Sequence, residues 1–318
     1  MGDKLSSGKT FTRKQKRMTF YILMFALPLL QFLIFYLYVN FNSIIIAFQK
    51  RLDGKVSFTS DNFKVAFDYF FSSKGGEMMW NSLQLLLCQL LIVTPLGLLF
   101  SYYIAKGRAG ASFYRIMLYL PQVLSLAVLA PLFKFVVNTV YPYVSLKFFD
   151  KPARALLSPT TATNIKFYTA LVFTLWFSFG ANVLIYTGAM SGIDQSIVES
   201  AQLDGVTTMQ EFWHIYVPIT FPTLTTFILT SLAGMFNNQM SLHMFFGNDA
   251  EIRVFGYYFY RMASINTASI KTLDTSKVVG QYMTLGQLAA LGLISTCILV
   301  PVTLLARKCL TKFGPSFE

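Results

Sequence analysis

Six stretches long and apolar enough to cross a bilayer constrain this chain more than any other feature. They lie at about 19–47, 80–105, 116–139, 167–190, 219–240 and 284–306. Each reaches the ~20 residues that a helix needs to span hydrocarbon. Inside a bilayer every backbone polar group must be satisfied within the protein, so stretches of this length fold as helices. Only 13% of the 318 residues are charged, against about a quarter in soluble domains. The expected fold is therefore an all-α integral membrane protein with six transmembrane helices. Pro28, Pro95, Pro121, Pro131 and Pro301 fall inside the spans, where neighbouring helices can satisfy the carbonyls they free. The first stretch is too long for a signal-peptide core and lacks a small-residue cleavage site.

Lysine and arginine orient the spans. Lys4, Lys9, Arg13, Lys14, Lys16 and Arg17 precede the first. Lys106, Arg108 and Arg115 separate the second and third, and Arg307, Lys308 and Lys312 follow the sixth. With six spans these segments share one side, and their density near the span ends predicts that both termini are cytoplasmic. The expected location is the cell (cytoplasmic) membrane, multi-pass. The organisation read here is a basic N-terminal segment at 1–18, a six-span domain at 19–306 and a tail at 307–318. The net charge of +12 then reports the anionic headgroup region, and nucleic acid is not an expected partner.

Residues 191–218, between spans 4 and 5, break the charge pattern. They hold Asp194, Glu199, Asp204 and Glu211 and no Lys or Arg. Asp194 can cap a helix that runs to about Leu203, and Gly205 can supply a left-handed C-terminal turn. Thr208 and Glu211 have the spacing of a capping box. Met209, Phe212, Trp213, Tyr216 and Val217 then form one apolar helical face, and Pro218 and Pro222 mark the entry to span 5. A membrane-surface helix would carry basic residues toward lipid, so docking into a groove on a cytoplasmic partner fits better. The acids suggest that the groove is basic.

The run E-S-A-x-x-D-G-V, then F-x-x-I-x-V-P and a further proline, resembles the EAA loop of ATP-binding-cassette (ABC) importer permeases, most nearly the MalF-like, binding-protein-dependent permeases of carbohydrate uptake. Glu199, Ala201, Asp204, Gly205, Phe212, Ile215, Pro218 and Pro222 match; Ser200, Val206 and Val217 depart conservatively. The resemblance implies that 191–218 is a coupling element docked on an ATPase subunit, with Glu199 at the groove. It implies a second, homologous permease subunit, two cytoplasmic ATPase subunits and an extracytoplasmic solute-binding protein. ATP and Mg would be held by the ATPase; no cofactor and no catalytic site are expected in this chain.

Other motifs carry less. The stretch at 2–10, GDKLSSGKT, has five residues where a phosphate-binding loop has four, and no strand precedes it. The start MGDKLS fits an N-acylation pattern, which would add little to six spans. Cys88, Cys297 and Cys309, and His214 and His243, have no metal-site spacing. No Asp or Glu lies within the six apolar stretches, which disfavours the alternative of an ion-coupled secondary carrier. Lys134 is an intramembrane charge near an outer span end, able to snorkel.

Neutral carbohydrate needs hydrogen-bonding side chains in the spans. Span 4 offers Ser178, Asn182 and Tyr186, the last two on one face, with Trp176 and Phe179 nearby. Span 5 offers Ser231, Asn237, Asn238 and Gln239. Such groups are costly in lipid and should face a polar interior or another helix. Maltose-type permeases have a Ser and Phe-Asn-Asn at this distance after the EAA loop and use positions there for sugar. Ser231 and Phe236-Asn237-Asn238 fall in that pattern, while Gln239 departs from it.

Overall fold

The computed structural model describes residues 12–52, 55–248, 251–272 and 283–314. The stretch at 2–10, the N-acylation pattern and residues 315–318 of the tail lie outside these. Among the described residues six helices are long and apolar enough to cross a membrane. They are α1 (Arg13–Ala47), α3 (Ser73–Ala105), α5 (Leu126–Phe149), α6 (Thr163–Ser191), α8 (Thr208–Ala233) and α11 (Leu285–Phe313). Between them lie a hairpin, β1 (Gln49–Leu52) and β2 (Lys55–Phe58), and the shorter helices α2 (Asp61–Phe70), α4 (Ala111–Val123), α7 (Gln195–Leu203), α9 (Leu242–Phe246) and α10 (Phe255–Thr272). The antiparallel hairpin pairs Gln49 with Phe58 and Leu52 with Lys55.

Large apolar side chains stay on the outside, as a lipid-facing surface requires. Leu27, Phe35 and Tyr38 of α1 are 68–73% exposed, and Ala47 at its far end is fully buried. The far end of α1 lies against α11. Three clusters hold the other helices together. One, at the end of the bundle opposite α7, joins Ala47, Phe70, Met78, Phe236, Phe255 and Leu291. A second joins α3, α5, α6 and α9 through Leu85, Leu129, Phe173 and Phe245. The third lies beside α7 and is built from Leu98, Tyr102, Tyr186, Met190, Val198, Phe212 and Tyr216.

Spans 1, 2 and 6 extend six or seven residues past an expected end, and two spans differ more. The third, expected as one helix at 116–139, is broken: α4 ends at Val123, Leu124 is extended, and α5 starts after Ser125. Pro121 in the last turn of α4 removes a ladder donor. The Gln122 side-chain amide donates to the Phe177 carbonyl at 2.5 Å, which ties the broken end to α6. The fifth, expected at 219–240, begins at Thr208 and stops at Ala233. The helix does not break at Pro218. A π-bulge over Phe212–Tyr216 sends the Val217 N–H back to the Phe212 carbonyl, and this wider turn precedes the proline.

Candidate functional site

The elbow at 191–218 is assembled by local hydrogen bonds. Asp194 caps α7 by accepting from the Ser196 N–H at 3.0 Å. That N–H, and then the Ser196 hydroxyl, hold the Asp194 carboxyl below the usual carboxylate range. At the other end the Gly205 N–H reaches the Gln202 carbonyl and the Val206 N–H reaches the Ala201 carbonyl, both at 3.1 Å. This 5→2 and 6→1 pair is a Schellman turn, which needs a left-handed residue after the C-cap. Gly205 supplies it with φ = +78°, and Asp204 is the C-cap. The spacing Ala201, Asp204, Gly205 is therefore the spacing of one helix-ending motif.

The second capping motif is shifted by one residue from the expectation. Thr207, not Thr208, is the N-cap of α8, and its partner is Gln210, not Glu211. The Thr207 N–H donates to Gln210 Oε1 at 2.9 Å, and the Gln210 N–H donates to the Thr207 hydroxyl at 3.4 Å. The run Thr207-Thr208-Met209-Gln210-Glu211 offers both boxes. The first forms because Glu211 turns inward: it is 4% exposed and ion-pairs with Lys106 at the end of α3. Glu211 is thus committed within the chain.

The apolar face of α8 also divides. Phe212 and Tyr216 are buried against Tyr102, with ring centroids 5.2 and 4.8 Å away. Ile215 and Pro218 are half-buried beside them. Met209 and Trp213 remain 61% and 57% exposed, and Leu203 at the end of α7 is 90% exposed. Glu199, Asp204 and Gly205 are exposed as well. The elbow therefore exposes two acids and large apolar side chains.

The residues expected along a solute path fall at separate levels of the bundle. Tyr186 is 1% exposed, in the cluster beside the elbow, and its ring meets Phe227 of α8 at 5.2 Å. Asn182, one turn away, is 9% exposed. Ser178 is half-buried and donates to Gln89 Oε1 at 3.3 Å. Ser231 is half-buried in the last turn of α8. Asn237, Asn238 and Gln239 lie beyond the helix, in a turn whose Asn side chains are exposed. The Asn238 side chain accepts from the Met240 N–H at 2.9 Å, and Met240 and Ser241 both have positive φ. The turn rests on α10 at Gly256, where a Cβ would come within 2.6 Å of the Asn237 and Asn238 carbonyl oxygens. Phe236 anchors it against Phe255, with centroids 4.6 Å apart.

Sequence reasoning passed over several polar groups. Gln89, an amide in the apolar run of span 2 as Gln84 is, had a visible signal; the inward turn of Glu211 had none. Lys134, expected to snorkel, donates to the Phe245 carbonyl at 2.5 Å. Lys166 is buried, donating to the Pro159 carbonyl at 3.0 Å and pairing with Glu251 at 3.3 Å. Both lysines line a cavity of about 490 Å³ and tie down the chain segments around it.

Comparison with known proteins places this geometry. Residues 93–310 match the family described as binding-protein-dependent transport system inner membrane component. The arabinooligosaccharides transport system permease protein AraP of Bacillus subtilis (strain 168) is 22% identical over 291 residues, covering 89% of this chain and 86% of that protein. The crystal structure of a bacterial ABC transporter involved in the import of the acidic polysaccharide alginate superposes with a TM-score of 0.73 at 18% identity, covering 95% of this chain and 98% of that one. The alginate transporter solved in complex with an alginate pentasaccharide-bound periplasmic protein gives a TM-score of 0.70 at 19% identity, over the same shares of each chain. The family match spans the broken third span, the elbow and the last helix, and this multi-pass membrane chain belongs to the binding-protein-dependent transport system inner membrane components.

Proposed function

We propose that this chain is one of two homologous permease subunits of an ATP-driven importer for a carbohydrate, probed first as a neutral oligosaccharide. The observation that carries the reading is the elbow: a capped, Schellman-turned helix pair with exposed acids and large apolar side chains, in a chain of this family. The elbow faces the cytoplasm, as do both termini, and docks on one of two ATPase subunits, which hold ATP and Mg. Glu199, Ala201, Asp204 and Gly205 form the docking end; Phe212, Ile215 and Pro218 join it to the spans. An extracytoplasmic binding protein delivers the solute. The resemblance of the 231–238 stretch to maltose-type permeases supports a path through Ser231, Asn237 and Asn238, which Gln239 and, at other levels of the bundle, Ser178 and Asn182 of α6 extend. Tyr186 then acts by packing between α6 and α8.

The broken third span supports a second subunit. Leu124 and Ser125 are exposed in this chain and lie roughly 20 Å along the span from the start of α4, at 1.5 Å per residue. Irregular backbone at that depth needs protein or a water-filled path over it, and a homologous partner provides both.

The test is uptake of neutral oligosaccharides by vesicles that hold the assembled complex. The expected result is uptake that needs internal ATP and the binding protein. Uptake driven by an ion gradient without ATP would overturn the reading in favour of a secondary carrier.

A further inference from the structure

Beneath the elbow lies a charged pair that the docking surface does not use. Lys106 caps the end of α3, and Glu211 stands in the first turn of α8. Their side chains are 16% and 5% exposed. Each charge has the sign that its helix end favours, a cation at the C-terminus of α3 and an anion at the N-terminus of α8. The ammonium lies 5.8 Å from the Tyr216 ring centroid. The Tyr102 hydroxyl, one turn before Lys106, donates to the Thr208 carbonyl at 3.2 Å.

The surroundings say what the pair does. Tyr102, Phe212 and Tyr216 already fill this junction, and an apolar pair of similar volume would serve stability about as well. An ion pair shut away from water adds resistance to separation: if α8 slides off α3, a carboxylate and an ammonium must part in a poorly hydrated space. The α7 arm of the elbow meets the spans through Val198 and half-buried Ile193.

We propose that Lys106 and Glu211 are positioning residues that latch the start of α8 to the end of α3, so that elbow and span move as one body. The proposal rests on the coupling role given to the elbow above. The latch is asymmetric. Glu211→Gln leaves an ammonium with a route to solvent. Lys106→Met strands a carboxylate that has almost none, so it disturbs the elbow more.

The experiment uses the assembled complex with Cys88, Cys297 and Cys309 replaced by serine. Spin labels are placed at the exposed positions His214 and Arg108, and their separation is measured without nucleotide and after trapping with Mg-ATP and vanadate. In the parent the separation is the same in both states. In Glu211→Gln, and more so in Lys106→Met, it differs between the states while the ATPase still co-purifies. Lys106→Arg, which keeps a cation at the C-terminus of α3, retains a single separation. If both single variants keep one separation in both states, the latch is wrong, even if their melting temperatures fall. Docking stands in that case provided Gly205→Val still sheds the ATPase. If no ATPase co-purifies with the parent chain, docking fails and the latch fails with it.

Discussion

The elbow at 191–218 and the turn at 234–241 are both short, polar and joined to α8, yet they are built on different length scales. The capping bonds at the elbow's ends join residues two to five apart: Asp194 to Ser196, Gln202 to Gly205, Ala201 to Val206, Thr207 to Gln210. The turn instead takes its shape from α10. Phe255 holds Phe236, Gly256 admits the 237–238 backbone, and Met240 and Ser241 accept left-handed conformations that cost about 1–2 kcal/mol each. Local chemistry writes an elbow that can present one shape to a partner. Distant packing fixes a turn whose form depends on the whole bundle.

That difference can be broken first at Gly256. A valine there would push its Cβ into backbone that cannot swing aside. Overpacking of this kind costs typically about 1–3 kcal/mol, and we place Gly256→Val near the top of that range. The purified complex should melt at lower temperature and the 237–241 amides should exchange faster, with the elbow unchanged. Equal loosening of the elbow would show that the two regions are not separate.

Gly205→Val should act in the opposite sense. No atom lies within 4 Å of a Cβ at Gly205, so the cost is the left-handed backbone alone, about 1–2 kcal/mol. Exchange should rise at 201–206 and ATPase co-purification should fall, while membrane insertion and the melting temperature hold. Normal co-purification with normal uptake would count against the docking role.

Asn238→Ala removes the acceptor for the Met240 N–H, a loss of about 1 kcal/mol. If the exposed asparagines line the solute path, uptake falls and the melting temperature barely moves. A lowered melting temperature with full uptake would make Asn238 a turn-former only.

The smallest effect separates the two capping registers. Thr207→Ala should cost about 0.5–1 kcal/mol of local helix stability, and Thr208→Ala should cost less. Exchange at 208–211 reads the difference; the reverse order would restore the Thr208–Glu211 box.

These regions also mark what was legible in the sequence. Six spans follow from composition and length, and α7, Gly205 and the start of α8 follow from capping chemistry. The cap was misplaced by one residue because two overlapping boxes look alike until Glu211 finds Lys106, about a hundred positions earlier. Span 5 was drawn to 240 because apolar content continues past Gly234, although the helix ends at Ala233 with Gly234 as its C-cap. The break after Val123 was missed because Pro121 alone does not predict it; a proline is tolerated in many spans. Burial of Tyr186 depends on how α6 meets α8, which side-chain spacing along α6 does not encode. Ser178, Asn182 and Ser231 were recognisable as polar groups in spans, but their depth and partners were not.

The most direct measurement places a cysteine at Glu199, an exposed position on α7, in a complex whose native cysteines are serine. A membrane-impermeant maleimide should label it in inside-out vesicles stripped of the ATPase and not in intact cells. A bifunctional crosslinker should join it to the ATPase subunit, with a yield that changes on trapping with Mg-ATP and vanadate. Labelling from outside intact cells, or crosslinks that never include the ATPase, would contradict the account.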